Sequence, residues 1–177
     1  ATKLGDNGVL RGFKGGLWEG GHRVPAIVWY PKKIGAGQKT NEIVLSMDWL
    51  PTLLSVAGIE TDDKFDGVNI SKVLFNQDEL QKRPVFWRYR NQAAVRQGNW
   101  KYLVDDENEF LFNIKDDIGE QNNLILSKPS KAEELKIALK EWKIDCYKEI
   151  KEKYVLSEPK KNEYGKTYYE LKEKKAE

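Results

Sequence analysis

The chain has little of several things. Its 177 residues include one cysteine, one histidine and one methionine. A single Cys146 excludes an internal disulfide framework and a Cys-rich zinc site, and says little about compartment. The single histidine, His22, has no Ser or Cys near it in sequence to serve as nucleophile, so a structural role is its plainer reading. Apolar runs are short, far below the roughly 20 residues that cross a bilayer. The opening residues 1–12 carry no apolar signal-peptide core. Neither a membrane partner nor a signal peptide is therefore expected in this chain. An excess of one charge is missing too: 30 Lys and Arg face 28 Asp and Glu, a formal +2. That gives no general reason to expect nucleic acid. Aromatic residues are plentiful, with six Trp and eight Tyr, which argues against disorder.

The order of patterns along the chain predicts its organisation. Residues 5–25 hold seven glycines and read as loop, since glycine permits positive φ and close backbone approach. "VPAIVWYP" (24–31) is a continuous apolar run between prolines and reads as a buried strand. "EIVLSMDWLPTLLSVAGI" reads as a short strand, then a helix starting near Ser46 or Met47. Pro51 falls in that helix's first turns and Gly58 at its C′ position. A turn and short helix follow in "FDGVNISKVLFNQ". From Pro84, "PVFWRYR", "AAVRQ", "NWKYLVDD" and "EFLFNI" alternate with turn chemistry and predict an antiparallel meander of three or four strands. The clearest helix lies in "KPSKAEELKIALKEWKIDCYKEIKEKY". There Leu135, Ala138, Leu139, Trp142, Cys146 and Ile150 recur every three or four residues, and Ser130 with Glu133 spells a capping box. The predicted domains are 1–83, an α/β portion; 84–155, a small antiparallel sheet packed against the long helix, α+β in character; and 156–177, a polar extension.

Four short pieces could carry chemistry. Asp6-Asn7-Gly8 offers hard oxygen donors of the kind calcium and magnesium take, and serves equally well as an Asx turn. Lys14, flanked by glycine, could approach an anion together with backbone N–H groups, or could be a solvated surface lysine. Glu19 and Arg23 could pair with each other or hold the loop through backbone hydrogen bonds. Trp87, Arg88 and Arg90 combine an aromatic face with guanidinium groups and are candidates for ligand contact; packing between sheet and helix is their alternative.

"DNG", "LRGFKGGLWEGGHRVPAIVWYP", "MDWLPTLLSVAGI", "FDGVNI", "FWRYRNQAAVRQGNWKYLV" and "EFLFNIKDDIGEQNNL" follow one another in that order. The series resembles the C-terminal part of the type I sulfatases, the arylsulfatase-like hydrolases of the alkaline-phosphatase superfamily. The likeness runs from about Gly5 to Leu126, and the Gly-x-Lys-Gly-x-x-Trp-Glu-Gly-Gly-x-Arg-Val-Pro segment is its most diagnostic piece. It implies that Asp6 and Asn7 ligate an active-site divalent cation, usually calcium, and that Lys14 is the catalytic contact to the sulfate. It implies structural positions for Glu19 and Arg23, a sulfated small molecule or glycan as substrate, and a periplasmic or secreted location for the complete protein. "ATKL" and Gly5 depart from the family, which has an apolar lead-in strand and Ser or another small residue there.

The larger departure is the nucleophile. These sulfuric ester hydrolases use a formylglycine made from a C/S-x-P-x-R motif. Cys146 is followed by Tyr-Lys-Glu-Ile and does not fit that motif. "SKPSK" (127–131) imitates it, but with Lys131 in place of Arg and on the wrong side of "DNG". The glycine-rich stretch thus reads as half of a site. The chain alone is expected to be inactive and to hold calcium weakly, because two ligands do not complete a shell of six or more. An uncovered "AIVWY" strand points to self-association. The rival readings are a non-catalytic glycan-binding or interaction module and another hydrolase of the same superfamily.

Overall fold

The computed structural model describes residues 5–156, 158, 160–161, 167–168 and 171–173. The lead-in "ATKL" and the rest of the polar extension lie outside the described residues. Among the described residues, no helix is long and apolar enough to cross a membrane. Contacts divide the chain into two units. One takes residues up to His22 and from Pro84 onward, and the other is Arg23–Arg83.

The first unit is built on a four-stranded antiparallel meander in the order β1 (Pro84–Tyr89), β2 (Gln92–Gln97), β3 (Trp100–Asp105), β4 (Asn108–Asn113). Two-residue turns join the strands, and Arg90, Gly98 and Asp106 take the positive φ that such tight reversals require. Alternation along each strand makes two different faces. Ala93, Val95, Tyr102 and Leu111 pack against Ala132, Leu135 and Leu139, which lie on the apolar stripe of α4 (Pro129–Lys153). Phe86 stacks on Trp142 at 5.0 Å between ring centres. Side chains of the opposite parity, among them Ala94, Leu103 and Phe112, pack against Leu17 and Trp18. The sheet is therefore covered by a helix on one side and by the glycine-rich segment on the other. The expected sheet and helix are both present. The expected capping box is not: α4 begins at Pro129, which puts Ser130 inside the first turn. Proline is favoured there because its missing N–H has no helical partner to lose. The side chain of Ile150 lies outside the described residues.

Beyond α4 the chain forms two short antiparallel pairs. Tyr154–Leu156 (β5) pairs with Leu171–Glu173 (β8), and Lys160–Lys161 (β6) pairs with Thr167–Tyr168 (β7).

The second unit is organised by a polar hub. Asp48 ends a 3₁₀ turn (Ser46–Asp48) that leads into α2 (Trp49–Val56). Its fully buried carboxylate accepts from the Leu45 N–H at 2.7 Å, the Val68 N–H at 2.9 Å and the Arg83 guanidinium at 2.5 Å. Thr52 donates to the Asp48 carbonyl and accepts from the Ile70 N–H, which brings in α3 (Ser71–Asn76). Gly58 stands after the α2 C-cap with φ +71°, as the pattern predicts. The apolar run 24–30 differs from expectation. It forms no ladder, and Ile27 and Trp29 are 94% and 84% exposed. "EIVLS" likewise forms no strand. A strand exists only where a neighbour takes up its N–H and C=O groups, and no described strand lies beside either run.

Candidate functional site

The site starts with the two peptides that follow Asp6. The Asp6 carboxylate accepts from the Gly8 N–H at 2.8 Å, closing an Asx turn. The Asn7 side-chain N–H₂ donates to the carbonyls of Gly12 at 2.8 Å and Gly20 at 3.0 Å. Both donors of that amide are thereby used, which leaves its oxygen as the acceptor end of the group. The turn that carries Asp6 and Asn7 is thus tied to the glycine-rich segment that carries Lys14. Lys14 itself is exposed.

Glycine is needed where this segment closes on itself. The Gly20 N–H donates to the Arg11 carbonyl at 2.7 Å. A Cβ on Gly20 would stand 2.7 Å from the carbonyl oxygens of both Arg11 and Gly12, and one on Gly21 would stand 2.1 Å from that of Gly16. No side chain fits either gap. Both glycines lie within the short helix α1 (Glu19–His22).

Beneath the segment lies a buried cluster of charges. Glu19, Lys101 and Glu120 are each fully buried. Lys101 Nζ is 3.0 Å from Glu19 Oε1 and 2.7 Å from Glu120 Oε1. Arg96 Nη1 reaches Glu19 Oε2 at 3.2 Å. The Glu120 carboxylate accepts the Glu19 N–H at 2.6 Å, and the Glu120 carbonyl accepts the Arg11 guanidinium at 2.8 Å. Two carboxylates face two cations, which is how charge survives burial. Burial works against ionisation of Glu19, but Lys101, then Arg96, outweigh it and hold the carboxyl below its ordinary value. For Glu120 burial wins over Lys101, and the carboxyl is pushed up. Burial and then the nearby Lys101 cation, only partly offset by Glu19, lower His22 to about 4. His22 packs on Trp87 with ring centres 4.7 Å apart.

The sequence-derived candidates separate by location. Asp6, Asn7, Lys14 and Glu19 belong to one loop on one face of the sheet, and Trp87 joins that face through His22 and the Leu17–Trp18 cluster. Arg88 points the other way and donates to the Tyr147 hydroxyl of α4. Arg90 occupies the β1–β2 turn, over the Tyr89 ring. Arg23 is exposed and opens the second unit. Lys101, Glu120, Arg96 and Gln92, whose amide oxygen accepts the Leu17 N–H at 2.8 Å, carry the loop yet were not sequence candidates. The available signal was Lys101 and Arg96 on the loop-facing parity of their strands, where a charge must be paired.

Among the described residues, no three His, Cys, Asp or Glu side chains gather to hold a metal ion. The Asp6–Asn7 pair fits part of a calcium shell: a carboxylate oxygen and an oriented amide oxygen are suitable hard donors, two of the six or more required.

Residues 13–151 match the family described as N-sulphoglucosamine sulphohydrolase, C-terminal. The chain is 32% identical over 157 residues to a sulfatase of Formosa agariphila, covering 76% of this chain and 28% of that protein. It is 30% identical over 170 residues to arylsulfatase A of Bos taurus, covering 79% and 33%. In structure it is similar to Ps i-CgsB, solved with k-i-k-neocarrahexaose, at a TM-score of 0.69 and 29% identity over 75% of this chain and 31% of that one. A protein solved with its substrate D-glucosamine-2-N,6-O-disulfate matches at a TM-score of 0.55 and 25% identity, over 63% and 26%. The chain thus spans about a third or less of the proteins it matches. It belongs to the sulfatase family and corresponds to the C-terminal part of those enzymes.

Proposed function

We propose that this chain supplies the C-terminal half of a site that hydrolyses sulfate esters of glycans or other small molecules. The observation that carries the reading is the double hydrogen bond from Asn7 to the Gly12 and Gly20 carbonyls. It joins the oxygen donors Asp6 and Asn7 to the loop of Lys14 in one rigid piece. In the complete enzyme Asp6 and Asn7 would hold calcium or another divalent cation, which polarises the sulfate and offsets its charge. Lys14 places its ammonium group against a sulfate oxygen and stabilises charge that builds there during ester cleavage. Glu19 fixes the loop from below, and Trp87 and Arg90 remain the candidate sugar contacts, whereas Arg88 is held against Tyr147 on the α4 side of the sheet. The neighbours solved with a neocarrahexaose and with a disulfated glucosamine support a sulfated glycan as ligand. The nucleophile and the remaining metal ligands come from further sulfatase sequence carrying the C/S-x-P-x-R motif. A cation would be held only weakly by this chain alone.

The test joins the chain to a sulfatase N-terminal portion bearing that motif and follows aryl-sulfate hydrolysis with and without calcium. The chain alone is expected to show no turnover. The joined protein is expected to turn over, and K14A to lower its kcat/KM by about a hundredfold or more. Robust hydrolysis by the chain alone, or an unaffected K14A, would refute the reading.

A further inference from the structure

The buried carboxylate of Glu120 has a position that the sulfate-site reading leaves unused. Glu120 adopts φ +53°, a left-handed conformation that a glutamate rarely takes and that is strained. It is completely buried. Both of its polar ends serve the same distant segment. The main-chain carbonyl accepts the Arg11 guanidinium, and the carboxylate accepts the Glu19 N–H. Between those two points Gln92 accepts the Leu17 N–H. Lys14 sits in the span from Arg11 to Leu17. Arg11 is further fixed by stacking over Trp18, 3.7 Å from the ring centre. Lys101 neutralises the carboxylate and stays paired with Glu19 as well. A strained backbone held in place by this many contacts is over-determined.

We propose that Glu120 is a positioning residue for the sulfate-binding loop: its two oxygen-bearing ends clamp Arg11 and Glu19, and so fix where the Lys14 ammonium group stands. The proposal rests on the reading that Lys14 contacts sulfate. Glu120 touches no substrate. It acts through the loop, and its loss should move affinity for an anion even while the chain remains folded.

The test uses the whole chain, with backbone NMR relaxation over residues 12–21 and a titration of inorganic sulfate followed at the Lys14 amide. In E120A, order over Gly12–Gly16 is expected to fall and sulfate affinity to drop by about tenfold, the scale of a lost hydrogen bond to a charged group. E120Q keeps an oxygen acceptor for the Glu19 N–H and is expected to recover most of both. L135A, on the helix side of the sheet, serves as the stability control: it should weaken the fold while leaving loop order and sulfate affinity unchanged. If L135A shifts both as much as E120A does, or if E120A shifts neither, the proposal is wrong. A wild-type loop that ignores sulfate but is selectively loosened by E120A would keep the clamp and overturn the sulfate reading. Where E120A does not fold, R11A breaks the other end of the clamp without touching Lys101 and carries the same expectations.

Discussion

Lys101 is fully buried between two carboxylates, and its value to the fold lies in what happens when one partner is lost. K101M leaves Glu19 and Glu120 facing each other, with Arg96 still paired to Glu19. Breaking a buried pair from one side costs about 3–5 kcal/mol. The double variant K101M/E120Q removes charge from both sides and is expected to be more stable than K101M alone. Urea unfolding of both variants checks this, and additive losses would show that the two residues are not coupled. His22 gives a pH prediction from the same cluster. Its folded value of about 4 lies below the ordinary 6.5, so between those values the unfolded chain binds more protons. Stability is therefore full above about pH 6.5 and falls as pH drops toward 4, by up to about 3 kcal/mol from this group. Glu19 adds a loss of the same sign below its ordinary value, since its carboxyl is held down. Glu120, pushed up, works in the opposite direction. The difference between wild type and H22Q isolates the histidine: the variant should show a flatter urea midpoint between pH 4 and 6.5. None of this cluster was legible as a cluster. A lysine in a strand and a glutamate in a turn-rich loop look solvated until the partner from residue 19 is seen, 82 and 101 positions away.

At the scale of elements, what the sequence declared is what local physics decides. The meander was readable because period-two alternation and Asn, Gly and Asp turns agree. Helix α4 was readable because its apolar residues recur every three or four positions. Its start was misread because Ser-x-x-Glu and Pro at the first turn are competing signals one residue apart, and proline's fixed φ prevailed. Residues 24–30 were misread for another reason: a continuous apolar run records that a surface is meant to be covered, and periodicity does not say by what. Two substitutions test the elements on either side of the sheet. L135A removes a fully buried side chain from the α4 stripe and should cost about 3 kcal/mol. G21A places a Cβ against the Gly16 carbonyl and should displace the loop while leaving α4 and the strands intact. Circular dichroism with Trp18 fluorescence separates the two: L135A lowers the thermal midpoint, and G21A changes the tryptophan environment at unchanged helix content.

At the scale of the molecule, the two units differ in how they satisfy their apolar residues. The sheet unit buries them on both faces. The Arg23–Arg83 unit fully buries only Ile70 and Val73 among its hydrophobics, and leaves Ile27, Trp29, Leu50, Leu53 and Ile59 more than half exposed. Its order comes chiefly from the Asp48 hub. Exposed apolar residues in such number mark surfaces meant for contact, and in the sulfatases that match this chain the match covers only 28% and 33% of their length. The covering surface is accordingly expected to be the rest of a sulfatase catalytic domain, the same sequence that would bring the nucleophile. I27S/W29S tests that expectation from two directions. In the chain alone the variant should reduce binding of a hydrophobic dye and leave the thermal transition of the sheet unit unchanged, because neither side chain contributes to its core. In the protein joined to a sulfatase N-terminal portion, the same variant should lose most aryl-sulfate turnover, since about 1.5–3 kcal/mol of burial per side chain disappears from the contact. Full turnover by the joined variant would mean that residues 24–30 stay exposed in the complete enzyme, and that the two halves of the site meet through another surface.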